Sequence, residues 1–415
     1  MTQKILYIQH AGALGGSCMS LLFLIQGLDR TKYEPIVACI HDTSAVLDLY
    51  RSHDIETFFW PGITPFEHTT LGWFPLYDPL AVTRLARQIR RFLPSAHATQ
   101  QLVKSVRPDV VHLNSLVLAP SALGVRRAGI PLIWHVREPV HHGHVGLRRR
   151  FLARLFMRLA DEGIFISAFD QQQLTGGKKG TVVHNFVDFT RFDYSLNGET
   201  VRAELNLAPG ARLVLFLGGQ SVVKGIFPLL QAMALVRDAV PEAHLAVGSG
   251  AYTPSGRLLS RIARTVLPLV GSGTVAQRVD KLIAQNAMQD RVHLLSWRSD
   301  VPRLLAASDV LVFPSVAPHF ARPVVEAGAM KKPVVASRIG GVEELVVHEE
   351  TGLLVPPNDP VRLADALIRI LTQPDEAQKM GKNGRQHALS RFNAETNIKA
   401  TTAAYERLLG TKEVK

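Results

Sequence analysis

A lysine, a glutamate and two glycine pairs stand where they could bind a charged ligand. Lys224 follows the apolar run LVLFLGG and, with Gly225, precedes an amphipathic stretch, so its amine would lie beside the amides of a helix start. That arrangement suits a diphosphate, although an exposed loop lysine would have the same spacing. Glu326 lies in an otherwise apolar stretch and could accept two hydrogen bonds from a diol such as ribose. We place it in the first turn of a helix that Pro323 begins, where a carboxylate that only complements the helix dipole would also be favoured.

Glycine pairs open two of the loops. Gly15 and Gly16, in HAGALGGSCMS, follow the first predicted strand and precede a helix, and Gly218 and Gly219 end the run LVLFLGG. A glycine lets a ligand approach the backbone, and the helix start points amide groups at an anion. Tight turns need the same residues, so the glycines alone do not decide between a ligand and a turn.

Short apolar runs alternate with amphipathic stretches along nearly the whole chain. This alternation predicts parallel sheets covered by helices on both faces. Seven runs precede residue 190, and six follow the polar residues 188–212, which contain Pro209-Gly210 and which we interpret as a linker region. The runs are KILYIQH, EPIVACI, ETFFW, DVVHLNS, PLIWHVRE, EGIFIS and TVVHNFV, then LVLFLGG, AHLAVGSG, RVHLLSW, DVLVFPS, KPVVAS and TGLLVPP. Two Rossmann-like doubly wound domains are expected, with ligands beyond the carboxyl ends of the strands.

Length and composition agree with a two-domain globular enzyme. The chain has 415 residues, of which 47% are hydrophobic and 20% charged. Cys18 and Cys39 provide neither a disulfide framework nor metal-ligand spacing. We find no apolar run of the length that a membrane span requires, and we interpret GSCMSLLFLIQGL as a buried first helix rather than a secretory signal. We expect a cytoplasmic protein.

The net charge of +12 is concentrated in residues 81–160, which hold fourteen Lys or Arg and two Asp or Glu. Within RRRFLARLFMRLA, Arg150, Arg154 and Arg158 fall on one helical face, which we assign, with Glu138, to the acceptor or membrane side. Helices that lie on anionic lipid have this composition, and so do ordinary helices with solvated arginines. A peripheral position at the inner face of the membrane is one expectation. No nucleic acid is predicted as a partner, because we recognise no binding module.

The motifs of the second half form an ordered set: GGQSVVKG, VGSG, HLLSWRSDVPRLLAASDVLVFPS, FARPVVEAGAMKKPVVAS, GGVEELV and TGLLVPPNDP. This set resembles the nucleotide-sugar-binding domain of family 4 retaining glycosyltransferases of GT-B fold. HAGALGG, IWHVREP, ISAF and VVHNFVD resemble the family's first domain more loosely, and RFNAETNIKATTAAYERLL resembles its closing helix. The resemblance implies an acceptor-side domain (1–190), a nucleotide-sugar-binding domain (191–391) and a returning helix (392–415), with the domains facing across a cleft.

The resemblance also implies roles for single residues. Glu326 matches the second Glu of the family's paired-Glu motif and would hold the ribose, Lys224 would bind the donor diphosphate, and His135 would lie near the donor sugar. These three are the expected catalytic residues. Glu138 belongs to a variant H-x-R-E motif. The expected donor-binding set is Gly15, Gly16, Gly218, Gly219, Lys224, Arg298, Phe320, Arg322, Val324, Val325 and Glu326.

Two positions depart from the family pattern. Pro318 stands where the first Glu of the pair is expected, and Gly219 stands where an Arg usually partners the lysine. A lost charged hydrogen-bond partner costs roughly 1.5–3 kcal/mol unless another group replaces it. The candidates for replacement are Arg322, His319 and Gln220.

We therefore expect a retaining glycosyltransferase that moves a sugar from a UDP- or GDP-linked donor to a cell-envelope or lipid-linked glycan. The resemblance implies no cofactor and no metal, and we find no Asp-x-Asp pair to hold one. A catalytically impaired nucleotide-sugar-binding protein of the same fold is the alternative that Pro318 and Gly219 suggest. A nucleotide-sugar epimerase of this fold is a further alternative.

Overall fold

The structure is a computed structural model that describes residues 2–67, 79–140, 144–248, 274–319 and 321–410. It divides into two compact units, Met1–Phe186 with Phe392–Lys415, and Val187–Arg391. The first unit ends four residues before the boundary at 190, because residues after Phe186 contact the second unit. The guanidinium of Arg385, for example, lies 5.3 Å from the centre of the Phe189 ring.

Seven parallel strands form the sheet of the first unit. They are β1 (Gln3–Gln9), β2 (Tyr33–Cys39), β3 (Glu56–Phe59), β4 (Val110–Leu113), β5 (Leu132–Val136), β6 (Glu162–Phe165) and β7 (Thr181–Val182). Their order across the sheet is β3-β2-β1-β4-β5-β6-β7. The direction of the connections changes between β1 and β4, so the carboxyl ends of these two strands form the switch point of a doubly wound sheet.

Helices cover both faces of this sheet. Those before residue 187 are α1 (Gly16–Gln26), α2 (Ser44–Arg51), α3 (Pro79–Val106), α4 (Ala119–Ala128), α5 (Leu147–Leu159) and α6 (Ala168–Thr175). Leu6 and Ile8 of β1 belong to one hydrophobic cluster, whereas Ile5 and Tyr7 belong to another. Successive residues of a strand point to opposite faces, so both faces of the sheet are buried.

The second unit repeats this construction with six parallel strands. They are β8 (Arg212–Phe216), β9 (Ala243–Val247), β10 (Val292–Leu294), β11 (Val310–Phe313), β12 (Val334–Ser337) and β13 (Gly352–Val355). The order is β10-β9-β8-β11-β12-β13, with the switch point between β8 and β11. Each of the thirteen apolar runs predicted as a strand contains one, and the predicted fold class is confirmed.

The helices of the second unit are α7 (Glu199–Glu204), α8 (Ile226–Ala239), α9 (Val275–Gln285), α10 (Val301–Ala307), α11 (Arg322–Ala329), α12 (Pro360–Thr372) and α13 (Pro374–Arg391). The last helix, α14 (Ala394–Gly410), belongs to the first unit, where Tyr405 is completely buried. Within the described ranges, no helix combines the length and the apolar character that a membrane span requires.

The stretch that we interpreted as a linker packs on the second unit. The amine of Lys331 lies 3.3 Å from the centre of the Tyr194 ring. Arg202, in α7, donates a hydrogen bond of 2.6 Å to the carbonyl oxygen of Ala307. The ring of Tyr194 and the guanidinium of Arg202 thus contact a cation and a carbonyl group of the unit, so a polar composition did not indicate a free linker here.

An aspartate stands immediately before a strand at three places and binds an amide near the start of the neighbouring strand. Asp309 accepts a hydrogen bond of 2.7 Å from the amide of Leu213, and its carboxylate lies 3.6 Å from Arg202. Asp109 and Asp161 make the equivalent bond in the first unit. Each aspartate therefore joins two strands at the amino edge of its sheet, opposite the edge where ligands are expected.

Replacing Asp309 by alanine should lower the free energy of unfolding of the second unit by about 2 kcal/mol, because a part-buried amide and a guanidinium lose their acceptor. Urea denaturation of the full chain measures this change. Asp290→Ala is the matched control, since the Asp290 carboxylate is exposed and pairs with its neighbour Arg291, and it should change stability by less than about 0.5 kcal/mol. Equal effects of the two substitutions would refute the proposed role of Asp309.

Candidate active site

A pocket lies at the switch point of the second sheet. Gly218 and Lys224, from the loop after β8, line it together with His319 and Pro323, which follow β11. These loops are neighbours because β8 and β11 pair directly in parallel. The pocket is therefore at the place where doubly wound sheets bind ligands.

Lys224 supplies a part-buried cation to this pocket. Among the described residues, its amine has neither a hydrogen-bond partner nor an ion pair. Burial lowers the pKa of Lys224. The next residue, Gly225, has a φ of +89° and would place a Cβ 1.8 Å from the carbonyl oxygen of Pro314, so only glycine fits. Gly225 is also the N-cap residue of α8 and has no side chain to cap it, so a helix start and a desolvated amine lie in one loop.

Glu326 lies in the second turn of α11, whereas we had predicted that it lies in the first turn. The helix begins at Arg322, one residue earlier than Pro323, and Glu326 is its fifth residue. The helix dipole therefore does not account for this carboxylate. Glu326 is 9% exposed and accepts no hydrogen bond from the described residues. Burial raises its pKa, and the charges of Arg322 and Arg191 oppose that rise.

A buried carboxylate without hydrogen bonds is unfavourable unless a ligand provides them. Carboxyl groups whose pKa is raised in this way occur preferentially at functional sites. Glu326 therefore meets the chemical requirement for an acceptor of ligand hydroxyl groups. Arg191, which flanks it, was not among the residues we selected, since its place in the polar stretch 188–212 concealed it.

His319 is next to the position where the family's charged residue is replaced by Pro318. Its Nδ1 lies 2.9 Å from Ser315 Oγ, which can donate or accept, and 3.1 Å from the carbonyl oxygen of Ala317, which can only accept. When Nδ1 donates to that carbonyl, it carries the ring hydrogen. Nε2 is then a hydrogen-bond acceptor. Burial lowers the pKa of His319 to about 4, and the charge of Lys224 contributes, so the ring is neutral at pH 7. A neutral acceptor in this pocket can bind a hydroxyl group as a carboxylate would.

Gly219 has a left-handed backbone, with a φ of +59°. An arginine in that conformation would be strained, so the loop is built for glycine at the position where the family has Arg. Val324 and Val325 are buried in α11. Phe320, which we also assigned to the donor site, lies outside the described residues.

Arg298 is not among the residues that line this pocket. Its guanidinium donates a 2.8 Å hydrogen bond to Asp300 and a 2.6 Å hydrogen bond to Glu204. These two carboxylates raise its pKa further. The structure gives Arg298 the role of joining α7 to the loop before α10, which the motif alone could not distinguish from ligand binding.

The carboxyl edge of the first sheet holds a cation that we had not selected. Arg137, directly after β5, donates from Nε to Asn114 Oδ1 at 2.6 Å and from Nη1 to Asn185 Oδ1 at 2.9 Å. All three residues fall in segments that we had quoted, HLNS, IWHVREP and VVHNFVD. The signal that could have identified them is that each follows a predicted strand or stands at its carboxyl end.

His135 is a buried residue of β5 and lines a cavity with Arg137 and Asn185. Its Nδ1 lies 3.2 Å from Nε2 of His112, and its own Nε2 is buried with no hydrogen-bond partner among the described residues. Burial lowers the pKa of His135 well below its usual range, so the ring is neutral. A neutral imidazole with one unused nitrogen is suited to binding a hydroxyl group.

Glu138 has a different position from the one we expected. One of its carboxylate oxygens accepts hydrogen bonds from Ser115 Oγ, from the Leu116 amide at 3.0 Å and from the Val117 amide at 3.3 Å. It therefore caps the short 3-10 helix Leu116–Leu118. This carboxylate is engaged inside the unit, whereas we had grouped it with the exposed arginines of α5.

Gly15 is the residue before α1, with an extended backbone that any residue can adopt. A Cβ built there would meet nothing within 4 Å, so neither conformation nor packing requires a glycine. Gly16 begins the helix, and the residue before it, Gly15, has no side chain that could cap this start. His10, in the same loop, has a buried Nδ1 without a partner among the described residues, and burial lowers its pKa to about 4. The loop thus leaves room beside a helix start, as a phosphate would need.

The protein consists of two Rossmann-like doubly wound units, which is the architecture of the GT-B fold. At the switch point of each unit, polar groups have no partner among the described residues. Two family models agree with this assignment. "Glycosyltransferase Family 4" matches residues 14–191, and "Glycosyl transferases group 1" matches residues 197–387. Together they cover most of the chain, which belongs to the family 4 glycosyltransferases.

Individual relatives match this chain either over a short segment or at low sequence identity. The chain is 38% identical over 133 residues to the MMP alpha-(1->4)-mannosyltransferase of Mycolicibacterium hassiacum, a match that covers 31% of this chain and 32% of that protein. It is 28% identical over 354 residues to a D-inositol 3-phosphate glycosyltransferase of Streptomyces scabiei, covering 79% and 74%. Among solved structures, Anabaena HepE in complex with UDP has a TM-score of 0.77 at 21% identity, covering 98% of this chain and all of that one.

Glu326→Gln should stabilise the protein above the pH at which the carboxyl group ionises. A carboxyl group whose folded pKa is raised binds more protons in the folded than in the unfolded state, so the free energy of unfolding falls as pH rises from the unfolded pKa through the raised one. Glutamine does not ionise, so in urea denaturation Glu326→Gln should be more stable than the wild type at pH 7 and should lose this advantage below the unfolded pKa.

Glu343→Gln is the matched control for this measurement. Glu343 is exposed and pairs with Arg338 at 2.6 Å, so its substitution should change stability by less than about 0.5 kcal/mol at any pH. A pH-independent loss of stability in Glu326→Gln would mean that the carboxylate supports the fold and is not held there for a ligand.

Proposed function

We propose that this glycosyltransferase transfers its sugar from a UDP- or GDP-linked donor, with retention of anomeric configuration and without a metal. The observation that carries the proposal is the part-buried amine of Lys224, which has neither a hydrogen-bond partner nor an ion pair among the described residues and stands beside a helix start whose N-cap residue is glycine. A buried cation is unfavourable in the absence of an anion. The UDP that HepE binds supports a uridine donor for this fold.

Different groups of the second unit would bind different parts of the donor. Lys224 and the amide of Phe227, in the first turn of α8, would stabilise the negative charge that develops on the departing diphosphate, which is the largest single contribution in many transferases. The amide of Ile226 already donates to the carbonyl oxygen of Ser221, and Pro228 has no amide hydrogen. Glu326 would accept hydrogen bonds from the ribose hydroxyl groups. Nε2 of His319 would accept one from the sugar, in place of the carboxylate that Pro318 lacks. The first unit has its own candidate groups for a sugar or phosphate oxygen, which are His135 and the open loop at Gly15.

Calorimetric titration with UDP, GDP, ADP and dTDP tests the donor site. We expect one nucleotide to bind, with Lys224→Met weakening it by about 1.5–3 kcal/mol, the value of a hydrogen bond to a charged group. A diphosphate binds better to protonated Lys224. The affinity for the nucleotide should therefore be highest below the lowered pKa of Lys224 in the unliganded protein and should decline as pH rises through that pKa. Lys224→Arg should abolish that decline, because arginine stays charged.

Lys281→Met, at an exposed position of α9, is the control and should leave affinity unchanged. No binding of any of the four nucleotides would overturn the proposal. Binding of a nucleotide without turnover of the corresponding nucleotide sugar on any acceptor would instead favour the catalytically impaired binding protein. Product analysis without acceptor distinguishes the epimerase.

For the acceptor, we propose a cell-envelope or lipid-linked glycan that the enzyme meets at an anionic membrane surface. Neither α3 nor α5 contains an Asp or Glu. On α3, Ile89 and Leu93 are 59% and 58% exposed and lie one turn apart. On α5, Leu147 is 63% exposed, and Phe151, one turn further, is also exposed. Solvated arginines alone do not account for these apolar side chains.

The two helices adjoin. The rings of Phe92, on α3, and Phe151, on α5, are 6.2 Å apart, and both contact Phe66. The exposed apolar side chains therefore belong to one surface, which we call the basic-apolar surface. The exposed arginines of these two helices are Arg84, Arg87, Arg90, Arg91, Arg150, Arg154 and Arg158. Apolar side chains that enter a lipid interface among basic ones are typical of peripheral membrane proteins.

Flotation with phosphatidylglycerol vesicles, compared with phosphatidylcholine vesicles, measures this association. We expect binding to the anionic vesicles that decreases with salt, and a loss of about 1 kcal/mol for Arg150→Glu or Arg154→Glu. Ile89→Ser and Leu93→Ser should reduce vesicle binding at low and at high salt concentration. Leu235→Ser, at an exposed leucine of α8 in the other unit, is the control. Binding that ignores lipid charge and all of these substitutions would exclude the membrane proposal.

A further inference from the structure

A chain of four buried side chains in the first unit ends at His135. The hydroxyl oxygens of Tyr7 in β1 and Tyr405 in α14 are 2.9 Å apart. Tyr405 Oη lies 2.7 Å from Nδ1 of His112 in β4, and Nε2 of His112 lies 3.2 Å from Nδ1 of His135 in β5. These three hydrogen bonds connect α14, the last helix of the protein, to His135 in the candidate active site.

The direction of these hydrogen bonds follows from counting hydrogens. Burial lowers the pKa of His112 and of His135 well below the usual range, so each ring is neutral and carries one N–H. Four hydrogens share three bonds, so one hydrogen is left over in either direction. If Tyr7 donates to Tyr405, Tyr405 to His112 and His112 to His135, the hydrogen left over is on Nε2 of His135, a residue that lines a cavity. If His112 instead carries its hydrogen on Nδ1, one of the two tyrosine hydroxyl hydrogens has no acceptor among the described residues.

A hydrogen left over on a tyrosine lies in the interior, because both tyrosines are completely buried, whereas one on Nε2 of His135 can be accepted by a ligand or a water molecule in the cavity. The first direction therefore applies. It makes Nδ1 of His135 an acceptor and places the hydrogen of His135 on Nε2. That nitrogen is the one with no partner among the described residues, on a side chain that is 4% exposed and lines a cavity.

We infer that Tyr405 and His112 are positioning residues that hold His135 as its Nε2–H tautomer, so that it presents a hydrogen-bond donor to an oxygen atom of the sugar being transferred. Only the identity of the acceptor atom rests on the proposed function. The last helix thus contributes to the site through His112 without touching the substrate. A histidine without this chain would populate either tautomer.

The experiment is ¹⁵N NMR of the full-length protein labelled at histidine, with the His135 signals assigned by their loss in His135→Gln. The wild type should show the Nε2–H tautomer at residue 135. Tyr405→Phe removes the hydrogen that Nδ1 of His112 accepts, so His135 should become a mixture of tautomers. Turnover of the nucleotide sugar should then fall at least about twofold, the loss when half of the molecules hold the competent tautomer.

Two further variants separate positioning from a general loss of packing. Tyr7→Phe breaks the same tyrosine pair but leaves Tyr405 donating to His112, so the tautomer of His135 should not change. Tyr33→Phe removes the hydroxyl of a ring that packs 5.9 Å from the Tyr405 ring and makes no hydrogen bond to described residues. It should alter neither the tautomer nor the turnover.

An Nδ1–H tautomer of His135 in the wild type would overturn the inference, and so would an unchanged tautomer in Tyr405→Phe. Equal effects of Tyr7→Phe and Tyr405→Phe would assign the chain a structural role only. If the tautomers respond as expected but no nucleotide sugar is turned over, the proposed function fails while the positioning chain stands, because the NMR measurement needs no substrate.

Discussion

Direct parallel pairing of β1 with β4 and of β8 with β11 determines where this enzyme can do chemistry. At each of these pairs the connections leave toward opposite sides of the sheet, so a crevice opens beyond the carboxyl ends. Lys224 and His319 are far apart in sequence but follow β8 and β11, and they line one pocket for that reason. Asp109 and Asp309 secure the same two pairs at the opposite edge. The polar groups of each site are thus positioned by backbone hydrogen bonds that they do not make themselves.

The strands and the loop of Lys224 could be predicted from the sequence because each depends on a local pattern. A strand buried on both faces must be a continuous apolar run, and a glycine-rich loop before an amphipathic stretch marks a helix start. The surroundings of single charged residues are not local. Arg298 matched a motif, yet the carboxylate of Glu204, which helps to neutralise it, lies ninety-four residues away. The start of α11 differed by one residue, and this was enough to move Glu326 out of the first turn.

The bond between His112 and Tyr405 spans 293 residues, and no spacing within either segment could indicate it. His112 stands in an apolar run as an ordinary interior polar residue, and Tyr405 stands on the apolar face of a closing helix. What unites them is burial, since a polar group inside a sheet must find a partner among whatever the fold brings to it. In this protein the partner comes from α14, so the return of the chain to the first unit completes a polar network as well as a hydrophobic core.

The two kinds of buried group suit the two parts of the proposed donor. A diphosphate carries formal charge, and the site offers it the amine of Lys224, which is already partly desolvated. A sugar carries only hydroxyl groups, and the imidazoles of His135 and His319 are held neutral by burial. A charged imidazole beside a sugar would lose its hydration without gaining a counter-charge, whereas a neutral one loses little. Lys224 and Glu326 are both desolvated and have no side-chain hydrogen-bond partner among the described residues, so a ligand that binds both would stabilise the second unit as it binds.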